Sequence, residues 1–326
     1  MAPLAPLRNR TFLLQKPMKR YLLYAAVFLL AYCAQGATQE RRESEERIFK
    51  IAVQTQLVEV YVTVTKGKQL VPNLKASDFM LAEDEMPVTL DRLDDQEAPL
   101  HIALLVDISE SVQDSLDTIQ DAAIAFVNSL HQQDRVTLIF FNSGIVAYQQ
   151  LTDDRQPIIQ EIKNARAGGM TKLYDSMILG MKQLEGKTGR KAIVCFTDGE
   201  NTSGIASRTD VLNSAAHLGY PIYAIAAGAG LELYTLKMNL QEFADINGGK
   251  AFFISSLSRL RSTFEEVAAE LRSAYVLNYY TRVPQDGRWH DLDIRTADPQ
   301  YTVHSRKGFF AQPSAGPQNH NSPQRR

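Results

Sequence analysis

The chain has 326 residues, 44% of them apolar and 22% charged, which is enough apolar material for an ordinary globular core. Its net charge of −2 argues against nucleic acid as the main partner, because there is no basic surplus to neutralise phosphates. At this length the expected arrangements are one large domain plus a smaller one, or one domain with additions at its ends.

Residues 1–37 read as a secretory signal peptide. Arg8, Arg10, Lys16, Lys19 and Arg20 precede any acidic residue, an unbroken apolar run of 14 residues spans Tyr21 to Ala34, and the small residues Gly36 and Ala37 follow. The run is short for a bilayer span, so no stable membrane span is expected. Met18, just ahead of Lys19 and Arg20, would open a more compact signal than Met1. Cleavage before Thr38 removes five positive charges and takes the net charge from −2 to −7. Leu30-Ala-Tyr-Cys33 is only loosely similar to a lipoprotein cleavage box, since Tyr32 stands where a small residue is wanted. Lipid anchoring is therefore not expected, and the periplasm, the cell surface and the medium all stay open as destinations. With Cys33 removed, Cys195 is left alone inside the apolar run Ala192–Phe196, which predicts a buried thiol and no disulfide framework.

Residues 38–48 form a charged leader, and a β segment is predicted over 49–97. Val58, Val60, Val62 and Val64 alternate with Glu59, Tyr61 and Thr63, and Lys66-Gly67-Lys68 supplies a turn. Phe79–Leu81 and Val88–Leu90 make a second pair of strands. Over 98–273 short apolar runs alternate with stretches of helical period. The runs begin at His101, Val136, Ala192, Ile222 and Ala251 and suit parallel strands buried on both faces. Ile119, Ala122, Ala123, Phe126, Val127 and Leu130 form one helical stripe; Leu257, Leu260, Phe264, Val267, Ala268 and Leu271 form another. This alternation predicts an α/β fold with a doubly wound, mostly parallel, Rossmann-like sheet. Strand texture returns over 274–311, and residues 312–326 read as a polar, disordered tail.

In an open parallel sheet, ligands bind where loops leave the carboxyl ends of the strands. There this chain places Asp107-Ile-Ser109-Glu-Ser111, then a Gly168-Gly169 loop presenting Thr171, then Thr197-Asp198-Gly199. These are hard oxygen donors with no His or Cys among them, which disfavours zinc and copper and suits Mg²⁺ or Mn²⁺. Two aspartates match the charge of a dication, and the hydroxyls of Ser109, Ser111 and Thr171 add none. A metal so held still attracts one carboxylate from outside. Read alone, Asp107, Ser109 and Ser111 are also compatible with a capped helix start.

The Asp-x-Ser-x-Ser loop, the Gly-flanked Thr and the Thr-Asp-Gly strand end together resemble the metal-ion-dependent adhesion site of von Willebrand factor A domains. That resemblance implies a vWA fold and a metal held by Asp107, Ser109, Ser111, Thr171 and Asp198. Over about residues 50–311, Leu57–Val62, Ala76–Phe79, Gly168–Asp175, Thr197–Asn201 and Arg306–Phe309 are similar to the VWFA-related proteins of acidobacteria. That similarity implies a small β-sandwich built from the segments on either side of the A domain, with 274–311 pairing onto 49–97. Glu110 and Glu85 depart from it, each standing where relatives often carry Gly.

The function expected is an exported module that captures a partner protein's carboxylate through the metal, without catalysis. Two other readings stay open: a phosphatase-type, metal-dependent hydrolase using Asp107, and a scaffold whose metal only stiffens its loops. The hydrolase lacks a second carboxylate, since Ser109 occupies that place, and the sequence has neither a Gly-x-Ser-x-Gly elbow nor a Gly-x-Gly-x-x-Gly turn after the first strand of the run.

Overall fold

The computed structural model describes residues 56–94, 98–227 and 234–313. The expected signal peptide (1–37), the charged leader (38–48) and nearly all of the expected tail lie outside the described residues.

The N-terminal segment forms β1 (Leu57–Lys66), β2 (Gln69–Leu70), β3 (Phe79–Glu83), β4 (Met86–Val88) and β5 (Arg92–Leu93). The middle of the chain supplies β6 (Leu100–Asp107), α1 (Leu116–Ser129), β7 (Arg135–Phe141), β8 (Ile145–Thr152), α2 (Arg155–Asn164), α3 (Leu173–Leu184) and β9 (Arg190–Thr197). It continues with α4 (Arg208–Leu218), β10 (Ile222–Ala227), α5 (Tyr234–Asp245), β11 (Lys250–Ile254) and α6 (Leu260–Ser273). β12 (Tyr275–Tyr280), β13 (Trp289–Thr296), β14 (Thr302–Ser305) and β15 (Gly308–Phe310) close the chain.

The central sheet runs β11-β10-β9-β6-β7-β8, parallel throughout except that β8 lies antiparallel on β7. Every residue of β6 and β9 is buried, as the unbroken apolar runs require when both faces are covered. Ile102, Leu104 and Val106 pack with Ile119 and Phe126 of α1, Ile158 of α2 and Phe264 of α6. The alternate positions Ala103 and Leu105 pack with Met177 of α3, Val211 of α4 and Phe243 of α5 on the opposite face. Gly180 lets α3 approach closely: a Cβ there would sit 3.2 Å from Leu105 Cδ2 and 3.3 Å from the Ala103 Cβ. This is the doubly wound α/β architecture the periodicity predicts.

The terminal segments build two antiparallel sheets. One runs β14-β1-β12-β5 with β2 paired to β1, and the other runs β15-β13-β3-β4. They share a core of Val58, Val60, Val62 and Val64 with Phe79, Leu81, Leu277, Leu292 and Ile294. The pairing of the N- and C-terminal segments is direct, with Val60 opposite Leu277 and Leu81 opposite Ile294. Strand β1 is buried beyond its valine face, because its second face docks on the α/β body. The Tyr61 hydroxyl accepts from Lys191 N at 2.9 Å, and Thr63 hydrogen-bonds the Tyr223 hydroxyl.

Arg306, just before β15, fastens the two parts together. Its guanidinium is buried, with Nη2 donating to Ala216 O at 2.9 Å near the end of α4 and Nε donating to Gly308 O at 2.7 Å. Gly219, left-handed at φ 73°, ends α4 and leaves the space this side chain fills. Burial pulls the guanidinium down to about 10, opposed by the neighbouring Tyr279.

Candidate functional site

The loops that follow β6 and β9 and, between them in sequence, the loop that joins α2 to α3 close on one another and on the end of β7 through main-chain bonds. Ile108 N donates to Phe141 O, Gly168 N to Ile108 O and Glu110 N to Gly169 O, at 2.9–3.0 Å. Thr202 N and Ser203 N both donate to Thr171 O, while Thr171 N donates to Thr202 Oγ1 at 2.9 Å. The glycines make the middle loop possible, with Gly169 at φ 82° and so close to Ser143 that a Cβ would collide.

On this frame the five sequence-predicted residues converge. The buried Asp107 carboxylate accepts from Ser109 N at 2.9 Å through Oδ1 and from Thr197 Oγ1 at 2.7 Å through Oδ2. Ser109 Oγ and Ser111 Oγ are hydrogen-bonded at 3.0 Å, and Ser111 Oγ donates to Asp198 Oδ1 at 2.6 Å. Thr171 joins the group from the second loop. A Cβ built on Gly199 would lie 3.8 Å from Thr171 Oγ1 and 3.9 Å from Ser111 Oγ, so both hydroxyls border the space Gly199 leaves open.

The helix-cap alternative does not describe these residues. Ser109 precedes a short 3-10 turn yet makes no side-chain cap bond to it, and the turn leads into α1 without one either. Their side chains are turned instead toward the aspartates.

The electrostatics follow from burial. Desolvation pushes the Asp107 carboxyl up to about 6; the bonds from Ser109 and Thr197 oppose the shift, and the charge of Asp198 adds to it. Asp198 is raised by burial as well, against the Ser111 hydrogen bond. Two carboxylates thus share a partly dehydrated corner that penalises their charge. With serine and threonine hydroxyls as companions, this is an oxygen-only donor set that could hold a hard dication. Cys195 lies behind it on β9, fully buried, its thiol held far above the ordinary range by burial and then by Asp107.

Several supporting residues carried no assigned role in the sequence reading. Thr197 orients Asp107, Ser143 Oγ accepts from Met170 N at 2.7 Å, and Asn201 Oδ1 accepts from Tyr174 N at 3.1 Å at the start of α3. Thr197 and Ser143 each sit at or just past the carboxyl end of a central strand, the position that marks them. Asp175 lies in the first turn of α3 and receives Ile205 N at 3.1 Å and Ala206 N at 3.4 Å. Tyr174 packs edge-on against Phe243 at 5.8 Å.

The model of the von Willebrand factor type A domain matches residues 101–266, half of the chain. Over 127 residues the chain is 31% identical to an uncharacterized protein of Synechocystis sp., covering 37% of this chain and 30% of that one. It is 22% identical over 200 residues to inter-alpha-trypsin inhibitor heavy chain H1 of Sus scrofa, covering 55% and 22% respectively. The chain therefore spans less than a third of the length of either relative. Among solved structures, a von Willebrand factor type A protein from Catenulispora acidiphila covers 79% of this chain and 64% of its own, with TM-score 0.49 and 12% identity. Proximal thread matrix protein 1 of the mussel byssus, solved with a zinc-occupied MIDAS motif, covers 52% and 47%, with TM-score 0.45 and 20% identity.

Proposed function

The chain belongs to the von Willebrand factor type A domain family, and from that premise we propose that it is an exported binding protein. In this reading Mg²⁺ or Mn²⁺, held by Asp107, Ser109, Ser111, Thr171 and Asp198, captures a carboxylate of a protein partner. One observation carries it: Asp107 and Asp198, both disfavoured as anions by burial, are linked through Ser109 and Ser111 at the carboxyl ends of β6 and β9. A dication compensates both charges at once, and the hydroxyls coordinate without adding charge, so the metal keeps its attraction for one further anion. The space at Gly199 provides room beside Thr171 and Ser111.

Binding fits these residues better than turnover. The Cys195 thiol is sealed in the core, and Ser109, where a phosphatase of the strand-end type needs a carboxylate acid, bonds Ser111 instead. Export rests on the basic, apolar and small-residue order of residues 1–37.

Calorimetric titration of Mg²⁺ and Mn²⁺ into metal-free protein tests the site. Saturable binding that Asp107→Ala abolishes is the expected result. Equal binding by the variant, or none by either protein, rejects the reading.

A further inference from the structure

Two large apolar side chains stand in solvent beside the candidate metal loop. Met170, adjacent to Thr171, is 52% exposed, and Ile205, three residues past Thr202, is 97% exposed. Neither sits on a loose end of backbone. Met170 follows the left-handed Gly169, and its own N–H is tied to Ser143 Oγ at 2.7 Å. Ile205 follows Gly204 at φ 116°, and its N–H and that of Ala206 are held by the Asp175 carboxylate. Thr171 and Thr202 are cross-bonded through main chain and side chain, which ties the two displays to a single rim. Two solvated apolar side chains held on constrained backbone at the border of the metal loops form a candidate contact surface.

The charges around the rim narrow what can approach. Asp107 and Asp198 formally match a dication, which leaves Glu110, exposed, and Glu200, half-buried, as additional anions in the same loops, with Lys172 next to Thr171 and Arg208 near Tyr174 as cations. One incoming carboxylate is drawn by the metal, while Glu110 and Glu200, in the loops that carry Ser109, Ser111 and Asp198, repel a second acidic residue beside it.

From this rim we infer that the partner presents one acidic residue flanked by large aliphatic side chains, which cover Met170 and Ile205, and not a run of acidic residues. Met170 and Ile205 are then specificity-determining residues, and Glu110 and Glu200 exclude polyacidic competitors. The inference rests on the metal-site reading above.

Fluorescently labelled peptides test it on the full chain, in Mg²⁺ and in EDTA. The probes are Gly-Leu-Glu-Leu-Gly, Gly-Gly-Glu-Gly-Gly and Gly-Glu-Glu-Glu-Gly, read by anisotropy. The aliphatic peptide is expected to bind about tenfold more tightly than the glycine peptide in Mg²⁺. That preference should vanish in the Met170→Ser/Ile205→Ser double variant, with its Mg²⁺ affinity and melting temperature unchanged. Glu110→Gln should strengthen the triple-acid peptide selectively. Equal binding of the aliphatic and glycine peptides, or a preference that survives the double variant, overturns the inference while leaving Mg²⁺ binding to stand. Peptide binding that is the same in EDTA, or unaffected by Asp107→Ala, overturns the metal reading beneath it. No binding of any peptide to the Mg²⁺-loaded protein overturns the inference as well.

Discussion

Ser111 Oγ donates to Asp198 Oδ1 across 2.6 Å and so joins two loops 87 residues apart in sequence. The bond spans the first and third loops of the site, and the Ser109–Ser111 contact carries the connection back toward Asp107. A chain of hydroxyls between the buried Asp107 and the half-buried Asp198 holds the donors together before any ion arrives. The pre-ordering reduces what metal binding must spend on arranging them.

Mg²⁺ is therefore expected to stabilise the fold through this corner. At a concentration of about 100 times Kd the gain is about 2.7 kcal/mol, read as a rise in melting temperature. Asp198→Asn should abolish that rise. Ser111→Ala should weaken Mg²⁺ binding at least about tenfold while changing metal-free stability little, because Ser111 is exposed. A full Mg²⁺ response in Asp198→Asn would contradict the assignment.

Without metal, Asp107 opposes folding near neutral pH. Its carboxyl is raised from 3.8 to about 6 in the folded protein, so folding favours the protonated form. Stability from this group is complete below the unfolded value near 4 and is lost as pH rises through about 6. The full difference is about 3 kcal/mol. Asp107→Asn removes the titration, and in metal-free buffer it should melt higher than the unsubstituted protein at pH 7. The two melting curves should approach each other as pH falls toward 4. A gap that stays constant across this range would show that Asp107 carries no such penalty.

Arg306 holds the sandwich to the α/β body through a buried guanidinium bonded to Ala216 O and Gly308 O. Arg306→Ala leaves those carbonyls short of a partner and opens a space beside Gly219, and it should cost about 2 kcal/mol in chemical denaturation. Arg306→Lys should recover only part of this, since an ammonium cannot span both carbonyls as the fork does. Unchanged stability in Arg306→Ala would remove the latch from the account.

Asp84 and Glu85 both adopt left-handed conformations, at φ 47° and 67°, in the tight turn between β3 and β4. Asp84 offsets its strain by accepting from Asp291 N at 2.9 Å and bonding His290 Nδ1 at 2.7 Å. Glu85 has no such bond among the described contacts. Glu85→Gly should therefore stabilise the protein by about 1 kcal/mol, while Asp84→Gly should destabilise it. Matching thermal shifts for the two variants would refute the distinction.

Much of the fold was legible in the sequence. The apolar runs from His101, Ala192 and Ile222 are strands buried on both faces, and the stripes beginning at Ile119 and Leu257 pack against one of those faces, although Leu257 itself lies in a 3-10 turn ahead of α6. The antiparallel edge strand β8 was not read, because Ile145–Thr152 carries neither a long apolar run nor strict alternation. Tyr61 and Thr63 were read as the outer face of β1. They are buried because the α/β body supplies a second surface that alternation alone cannot reveal.

By itself the sequence determined the α/β class, the β character of both flanks and the three loops that hold Asp107, Ser109, Ser111, Thr171 and Asp198. Side-chain period and residue type are local properties and can be read along a chain. Only the tertiary structure decided that Thr197 orients Asp107, that Arg306 reaches Ala216 and that Met170 and Ile205 stand exposed on one rim. Those relationships arise when the strands align in register and bring distant loops to one end of the sheet, and no local pattern encodes that closure.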